Sequence, residues 1–179
     1  MSDEWNDEAV RVSDLFVAIL YKTLSQHLVA QLTESKVSLP QIQAMRYIWL
    51  HDHVLIGDLA DGLSISYPSA TNMVNRLEKQ GFVARIVNPS DRREVEVKLS
   101  VRGRSLTEQI EEERVVRLRK VLADMPVDDK DALLRGLYSF ICTAVGGDES
   151  NAREICLRCG SKASDSCPVA HEHILSKCQ

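Results

Sequence analysis

Apolar residues recur at spacings of three and four along residues 8–33: Val12, Leu15, Phe16, Ile19, Leu20, Leu24, Leu28 and Leu32, with Thr23 on the same line. The spacing predicts one long helix with a wide apolar stripe that either a bundle or a partner subunit must cover. Ser38-Leu39-Pro40-Gln41 has the form of a capping box. The serine oxygen is placed to cap the amide three residues on, Gln41 reaches back, and Pro40 sits in the first turn, where its missing N–H costs nothing. A second helix follows, with Ile42, Met45, Ile48 and Trp49 on one face. His51-Asp52-His53 reads as the exposed turn that ends it, because two histidines at i and i+2 point to different sides of a helix and do not share a metal. Ile56 to Leu63 is a short third helix, with Leu59, Ala60 and Leu63 inward and Gly62 near its end. Ser64-Ile65-Ser66 is a turn. Ser66 is the expected N-cap of a fourth helix, with Pro68 in the first turn. That helix runs to about Gln80 and stops at Gly81, burying Ala70, Met73, Val74 and Leu77.

The period then changes from 3.6 to 2. Phe82 to Val87 is a strand, Asn88-Pro89-Ser90-Asp91-Arg92-Arg93 a turn-rich basic tip, and Glu94 to Leu99 a second strand alternating charged and apolar residues. A fifth helix is expected from about Val101 to Ala123, carrying Leu106, Ile110, Val115, Leu118, Val121 and Leu122, with Glu111-Glu112-Glu113 read as a solvated face. Met125-Pro126 breaks it. A sixth helix runs from Asp128 to Val145 with Leu133, Leu134, Leu137, Tyr138 and Ile141 inward and Cys142 as a small core residue. Gly146-Gly147-Asp148 is a break, and a cysteine-rich tail follows.

Composition adds bounds. The 179 residues are 44% apolar and 27% charged, ordinary for a soluble globular domain with an appendage. No apolar run approaches the ~20 residues that span a bilayer, and the start, Met1 to Glu8, is acidic and polar, unlike a secretory signal. The expectation is a cytoplasmic protein with no membrane contact. Formal net charge is −4, which on average opposes non-specific nucleic-acid binding. The average hides an asymmetry: between Pro40 and Arg104 nine Lys and Arg face seven Asp and Glu. The middle of the chain therefore carries the positive charge.

Two short helices joined by a tight turn and followed by a two-stranded basic wing make a winged helix-turn-helix, whose second helix fits the major groove. Opposite the Ala70–Val74–Leu77 line stand Pro68, Asn72, Asn75, Arg76 and Lys79. Asn pairs bidentately with adenine and Arg with guanine, while Ser66, Ser69, Thr71 and Lys79 suit phosphates. Arg92 and Arg93 at the wing tip suit a narrow minor groove. The run from Gly57 to Leu63, the string Asn75-Arg76-Leu77-Glu78-Lys79-Gln80-Gly81 and the wing Asp91-Arg92-Arg93 resemble the MarR family of bacterial transcription regulators, over about residues 8–146. The resemblance implies a mainly α homodimer with the first, fifth and sixth helices interleaved, and a pseudo-palindromic operator in double-stranded DNA. It implies that Arg92 enters the minor groove with Asp91 bracing it. The expected organisation is a dimerisation helix (1–39), a winged helix-turn-helix DNA-binding domain (40–100), C-terminal dimerisation helices (101–147) and a small metal-stapled tail (148–179). The sequence departs from the family pattern by lacking the first-helix cysteine of the peroxide-sensing branch and by carrying the tail after Gly146.

In that tail Cys156, Cys159, Cys167 and Cys178 have the spacing C-x2-C-x7-C-x10-C. In a cytosolic protein such a cluster points to metal or redox chemistry rather than structural disulfides. CxxC brings two sulfurs to one ion, Gly160 lets the chain turn, and Cys167-Pro168 is similar to ferredoxin-type ligation. Four thiolates satisfy a four-iron iron–sulfur cluster, the favoured reading, or a tetrahedral zinc. The absence of a second CxxC weighs against zinc. Cys167-x3-His171 leaves open a Cys3His site in which His171 or His173 replaces Cys178, and a thiol–disulfide switch or no bound cofactor also stay open. A tail of roughly 30 residues needs such a staple to fold. The expected function is a transcription regulator, a repressor, with the cluster as redox or iron sensor. The alternative is a repressor responding to a small aromatic ligand, with zinc bracing the tail. An oxidoreductase built on Cys156 and Cys159 lacks the βαβ context it needs, and a protein-interaction adaptor leaves the basic wing unexplained, so no enzymatic activity is expected.

Overall fold

The computed structural model describes residues 3–22, 37–51, 54–87, 95–145 and 155. The described elements are α1 (Asp3–Tyr21), α2 (Leu39–Leu50), α3 (Ile56–Gly62), α4 (Tyr67–Lys79), β1 (Val83–Val87), β2 (Val95–Leu99), α5 (Val101–Ala123) and α6 (Val127–Val145). This is the expected mainly helical winged fold. α1 starts at Asp3, ahead of its apolar stripe. Among the described residues, α1 carries the acidic side chains of Asp3, Glu4, Asp7 and Glu8 in its first two turns. The continuation expected to residue 33 lies outside the described residues.

The core sits between α2, α3, α4 and the hairpin. Met45, Leu59, Ala70, Val74, Leu77, Phe82 and Val97 are essentially without solvent contact, and α5 adds Leu106 and Ile110. Each such Leu, Met or Phe contributes about 1.5–3 kcal/mol over its exposed state. Met73, expected inward, is only half-buried at the edge of this cluster. At the start of α2, Gln41 Oε1 accepts from the Ser38 amide at 2.9 Å and from its hydroxyl at 3.1 Å, which is the reach-back half of the expected capping box. Gln41 Nε2 goes on to donate to Gln80 Oε1 at 3.0 Å, tying α2 to the end of α4.

Both helices of the helix-turn-helix close in the same way. After α3, Ile65 N donates to Ala60 O and Ser64 N to Asp61 O; after α4, Phe82 N donates to Leu77 O and Gly81 N to Glu78 O. These paired bonds satisfy carbonyls that a helix end leaves open, and they need one residue in left-handed conformation. Gly81 fills that place after α4 with φ 76°, and Ser64 fills it after α3 with φ 51°. Gly62, expected near the end of α3, is its last residue and also serves packing: a Cβ there would fall on the Tyr47 ring.

β1 and β2 pair antiparallel from Val83↔Leu99 to Val87↔Val95. Val97 N also donates to Val54 O at 2.8 Å, and Leu55 forms a bridge with Glu96, so the segment before α3 covers one edge of the wing. α5 is docked at its first turn. Ser100 Oγ accepts from Gly103 N at 3.0 Å and donates to Gly81 O at 2.7 Å. Gly103 lies directly against the Phe82 carbonyl, with no room for a Cβ.

The run Glu111-Glu112-Glu113 is not a uniformly solvated face. Glu112 is exposed, but Glu111 is buried and accepts from Arg46 Nε of α2 at 3.0 Å and from Arg114 Nη2 at 3.0 Å. Sequence periodicity could not show this, because the Arg46 partner is 65 residues away. By contrast, much apolar surface stays open among the described residues. Val12, Leu15, Phe16 and Ile19 of α1 are exposed, as are Leu134 and Phe140 of α6, while Leu133, Leu137, Tyr138, Ile141 and Cys142 are half-buried. No helix among the described residues is long and apolar enough to cross a membrane.

Two glycines give opposite predictions. Gly103→Ala, which drives a methyl into a backbone carbonyl, is expected to cost at least about 2 kcal/mol, within the range of overpacked sites. Gly57→Ala, on the open side of α3 with nothing near its Cβ, is expected to be neutral or stabilising by up to about 1 kcal/mol. Thermal or urea unfolding of the two variants checks the signs. Glu111→Gln leaves Arg46 and Arg114 facing a neutral group. Because both arginines are about a third exposed, the expected loss is on the order of 1–2 kcal/mol, read in the same measurement.

Candidate nucleic-acid interface

α4 is strongly two-sided. Ala70, Val74 and Leu77 are buried, while Pro68, Ser69, Asn72, Arg76 and Lys79 are exposed. Asn72, Arg76 and Lys79, at i, i+4 and i+7, form one outward line. The buried line fixes this direction: turning the helix to hide Arg76 would expose three core residues.

The helix entry gathers polar groups. Ser66 has extended backbone and its Oγ accepts from Ser69 N at 3.3 Å, as an N-cap does. The Ser66 and Ser69 hydroxyls lie 2.8 Å apart, beside the amides and positive dipole end where a phosphate oxygen binds well. Thr71, half-buried, donates its hydroxyl to Tyr67 O at 3.0 Å, which leaves its oxygen lone pairs for outside donors. Tyr67, 59% exposed at the first helical position, was not among the residues expected from sequence. An aromatic residue directly after an N-cap on an outward-facing turn is the signal for it.

Asn75 differs from expectation. It is half-buried, and its Oδ1 accepts from Arg85 Nη2 of β1 at 2.7 Å. Arg85 Nη1 donates to Glu78 Oε2 at 3.1 Å. The oxygen needed for bidentate adenine pairing is therefore engaged by a cation. Sequence motifs do not single out Arg85, yet strand alternation marks it: with Val83 buried, the period of two turns Arg85 toward the helix while Ala84 and Ile86 are exposed. At the far end of α4, Arg102 of α5 lies over the Phe82 ring at 4.7 Å and donates to Gln80 O at 3.1 Å. Asp91, Arg92 and Arg93 of the wing tip lie outside the described residues; the strands that carry the tip end at Val87 and resume at Val95.

Cys156, Cys159, Cys167 and Cys178, with His171 and His173, also lie outside the described residues. Among those described, no three His, Cys, Asp or Glu side chains are grouped to hold a metal ion. His51, expected in an exposed turn, is half-buried and packs against the Tyr47 ring with centroids 4.3 Å apart. A cavity of about 270 Å³ lies between α2 and α3, lined by Gln43, Arg46, Tyr47, Gly62 and Leu63. Burial, and then the carboxylates of Asp58 and Asp61, raise the pKa of Tyr47, one of the lining residues.

Residues 37–95, from the start of α2 to the start of β2, match the sequence model of the MarR family. An uncharacterized HTH-type transcriptional regulator of Bacillus subtilis, YfiV, is 29% identical over 101 residues, covering 56% of this chain and 63% of its own. The chain thus spans a little under two thirds of the length of that relative. The crystal structure of RV1404 from Mycobacterium tuberculosis superimposes with a TM-score of 0.63 at 28% identity, covering 81% of this chain and 93% of that one. Streptococcus pneumoniae FabT, solved in complex with DNA, shares the fold with a TM-score of 0.64 at 20% identity over 72% of this chain and 92% of its own. The capped, two-sided α4, the paired wing strands and these likenesses make residues 37–95 a winged helix-turn-helix that matches the MarR family.

Proposed function

We propose that this protein is a sequence-specific DNA-binding transcription regulator, a repressor that works in the cytoplasm as a homodimer on a pseudo-palindromic operator, and not an enzyme. The outward line Asn72–Arg76–Lys79 on a helix whose opposite face is locked in the core carries the reading. Arg76 pairs with a guanine edge, and Ser66, Ser69 and Lys79 hold phosphates beside it. Thr71, whose proton goes to Tyr67 O, offers an acceptor oxygen on the same helix, Pro68 and Asn72 meet the groove, and Arg92, braced by Asp91, enters the minor groove with Arg93 beside it. The open apolar faces of α1 and α6 support a second copy as partner, since exposed patches of this kind mark interfaces. FabT, a protein of the same fold, was solved with DNA, which accords with this reading.

For the tail, the donor set of Cys156, Cys159, Cys167 and Cys178 fits a four-iron cluster, with zinc as the alternative metal. Such a cluster supplies sensitivity to oxidant or iron supply. The tail follows α6, so its ordering bears on the dimer helices. The cavity beside Tyr47 and Arg46 favours a second reading, in which a small aromatic ligand is the signal and zinc only braces the tail.

Selection of duplexes from a random library by the full-length protein is expected to enrich a pseudo-palindrome. Arg76→Ala is expected to cost about 1–3 kcal/mol and to relax preference at one position per half-site. Enrichment of no sequence overturns the regulator reading. Anaerobically purified protein is expected to be brown, with iron and sulfide in a ratio near that of a four-iron cluster, and Cys159→Ser to lose both. A colourless protein with one zinc per chain overturns the cluster. Operator affinity that is the same for Cys159→Ser and the parent, with and without oxidant, overturns sensing.

A further inference from the structure

Arg85 stands at the centre of β1, in register with Val97. Its side chain is about a quarter exposed. Its two terminal nitrogens go to two residues of α4, Asn75 at 2.7 Å and Glu78 at 3.1 Å. Those two residues are at i and i+3, so they share a face of the helix. We propose that Arg85 is a specificity-determining positioning residue: it makes Asn75 a hydrogen-bond donor toward DNA, neutralises Glu78 beside the phosphates, and sets the angle at which the wing leaves α4. The inference rests on the DNA-reading function proposed above.

An asparagine side chain has one acceptor oxygen and one NH2 donor. A charge-assisted bond of 2.7 Å occupies one of the two lone pairs of the oxygen and fixes the plane of the amide. What Asn75 then offers is its NH2 group, and the matching acceptors are phosphate oxygens, guanine N7 and O6, and thymine O4. Adenine, which needs the oxygen as well, is the pairing this arrangement disfavours. Glu78 is 40% exposed at its side chain, and without Arg85 it would set an uncompensated carboxylate beside a polyanion. β1, which carries Arg85, pairs with β2, so a clamp at this point fixes the two wing strands against α4. A lysine cannot replace it. The two bonds need the planar fork of a guanidinium, and an ammonium offers one compact point charge.

The test uses the full-length protein and the duplex it selects from a random library. Affinity is measured for that duplex and for a scrambled one. Arg85→Ala is expected to lower affinity for the selected duplex at least about tenfold while the scrambled duplex changes much less, so the specificity ratio falls. In a Glu78→Gln background, Arg85→Ala is expected to leave the slope of log affinity against log salt unchanged, since Arg85 donates inward. A direct phosphate contact would lower that slope by about 0.9. Asn75→Ala is expected to cost far less when Arg85 is already alanine, because the two residues act as a unit. Arg85→Lys, the variant least disruptive to folding, is expected to keep the thermal unfolding profile and still lose specificity. An unchanged specificity ratio, a slope reduced by one contact, full additivity with Asn75→Ala, or full rescue by lysine each overturns the inference while leaving DNA reading in place. A parent protein that selects no duplex overturns both.

Discussion

The backbone around Phe82 is the joint on which the described structure depends. Its amide closes the end of α4 by donating to Leu77 O, and its carbonyl accepts from Ser100 N at 2.9 Å. Its ring is fully buried, with the Arg102 guanidinium over it. One residue therefore terminates α4, starts the wing and docks the first turn of α5. The close approach of Gly103 to the Phe82 carbonyl makes this docking tight. Backbone groups at such a junction must be paired, because an unpaired buried amide or carbonyl costs about as much as a lost hydrogen bond. The geometry passed from α4 to the wing and to α5 is therefore set by bonds that have few alternatives.

Charge acts on top of that frame at two places. Arg85 clips the wing to α4, and Arg46 clips α2 to α5 through Glu111. In both cases a guanidinium crosses between elements and meets a group held on a helix. Glu111 is the more buried of the two carboxylates and takes two arginines. Exposed ion pairs contribute little, but a mostly buried carboxylate with several charge-assisted bonds specifies one arrangement, since breaking it strands a charge. The pairings thus hold the relative orientation of elements that the apolar core alone would allow to slide.

Much of this was legible from sequence, for local reasons. The boundaries of α2, α4, α5 and α6 follow from Ser38 with Gln41, from Ser66 with Pro68, from Gly81, and from Met125-Pro126, all signals read within a few residues. The buried line Ala70–Val74–Leu77 follows from helical period alone. The outward direction of Asn72, Arg76 and Lys79 then follows by geometry. The turn after α3 was harder, because the left-handed position is held by Ser64, a residue type that does not announce it as glycine would.

Sequence by itself determined the order of elements and the two-sided character of α4, because periodicity and capping are properties of neighbours along the chain. Tertiary structure decided what polar residues do once several elements meet. It turned Asn75 from a base reader into a partner of Arg85, and withdrew Glu111 from solvent to meet Arg46. It also covered a wing edge with Val54 and Leu55. These outcomes depend on residues brought together from distant positions, where hydrogen-bond geometry and desolvation, rather than local propensity, select the partner.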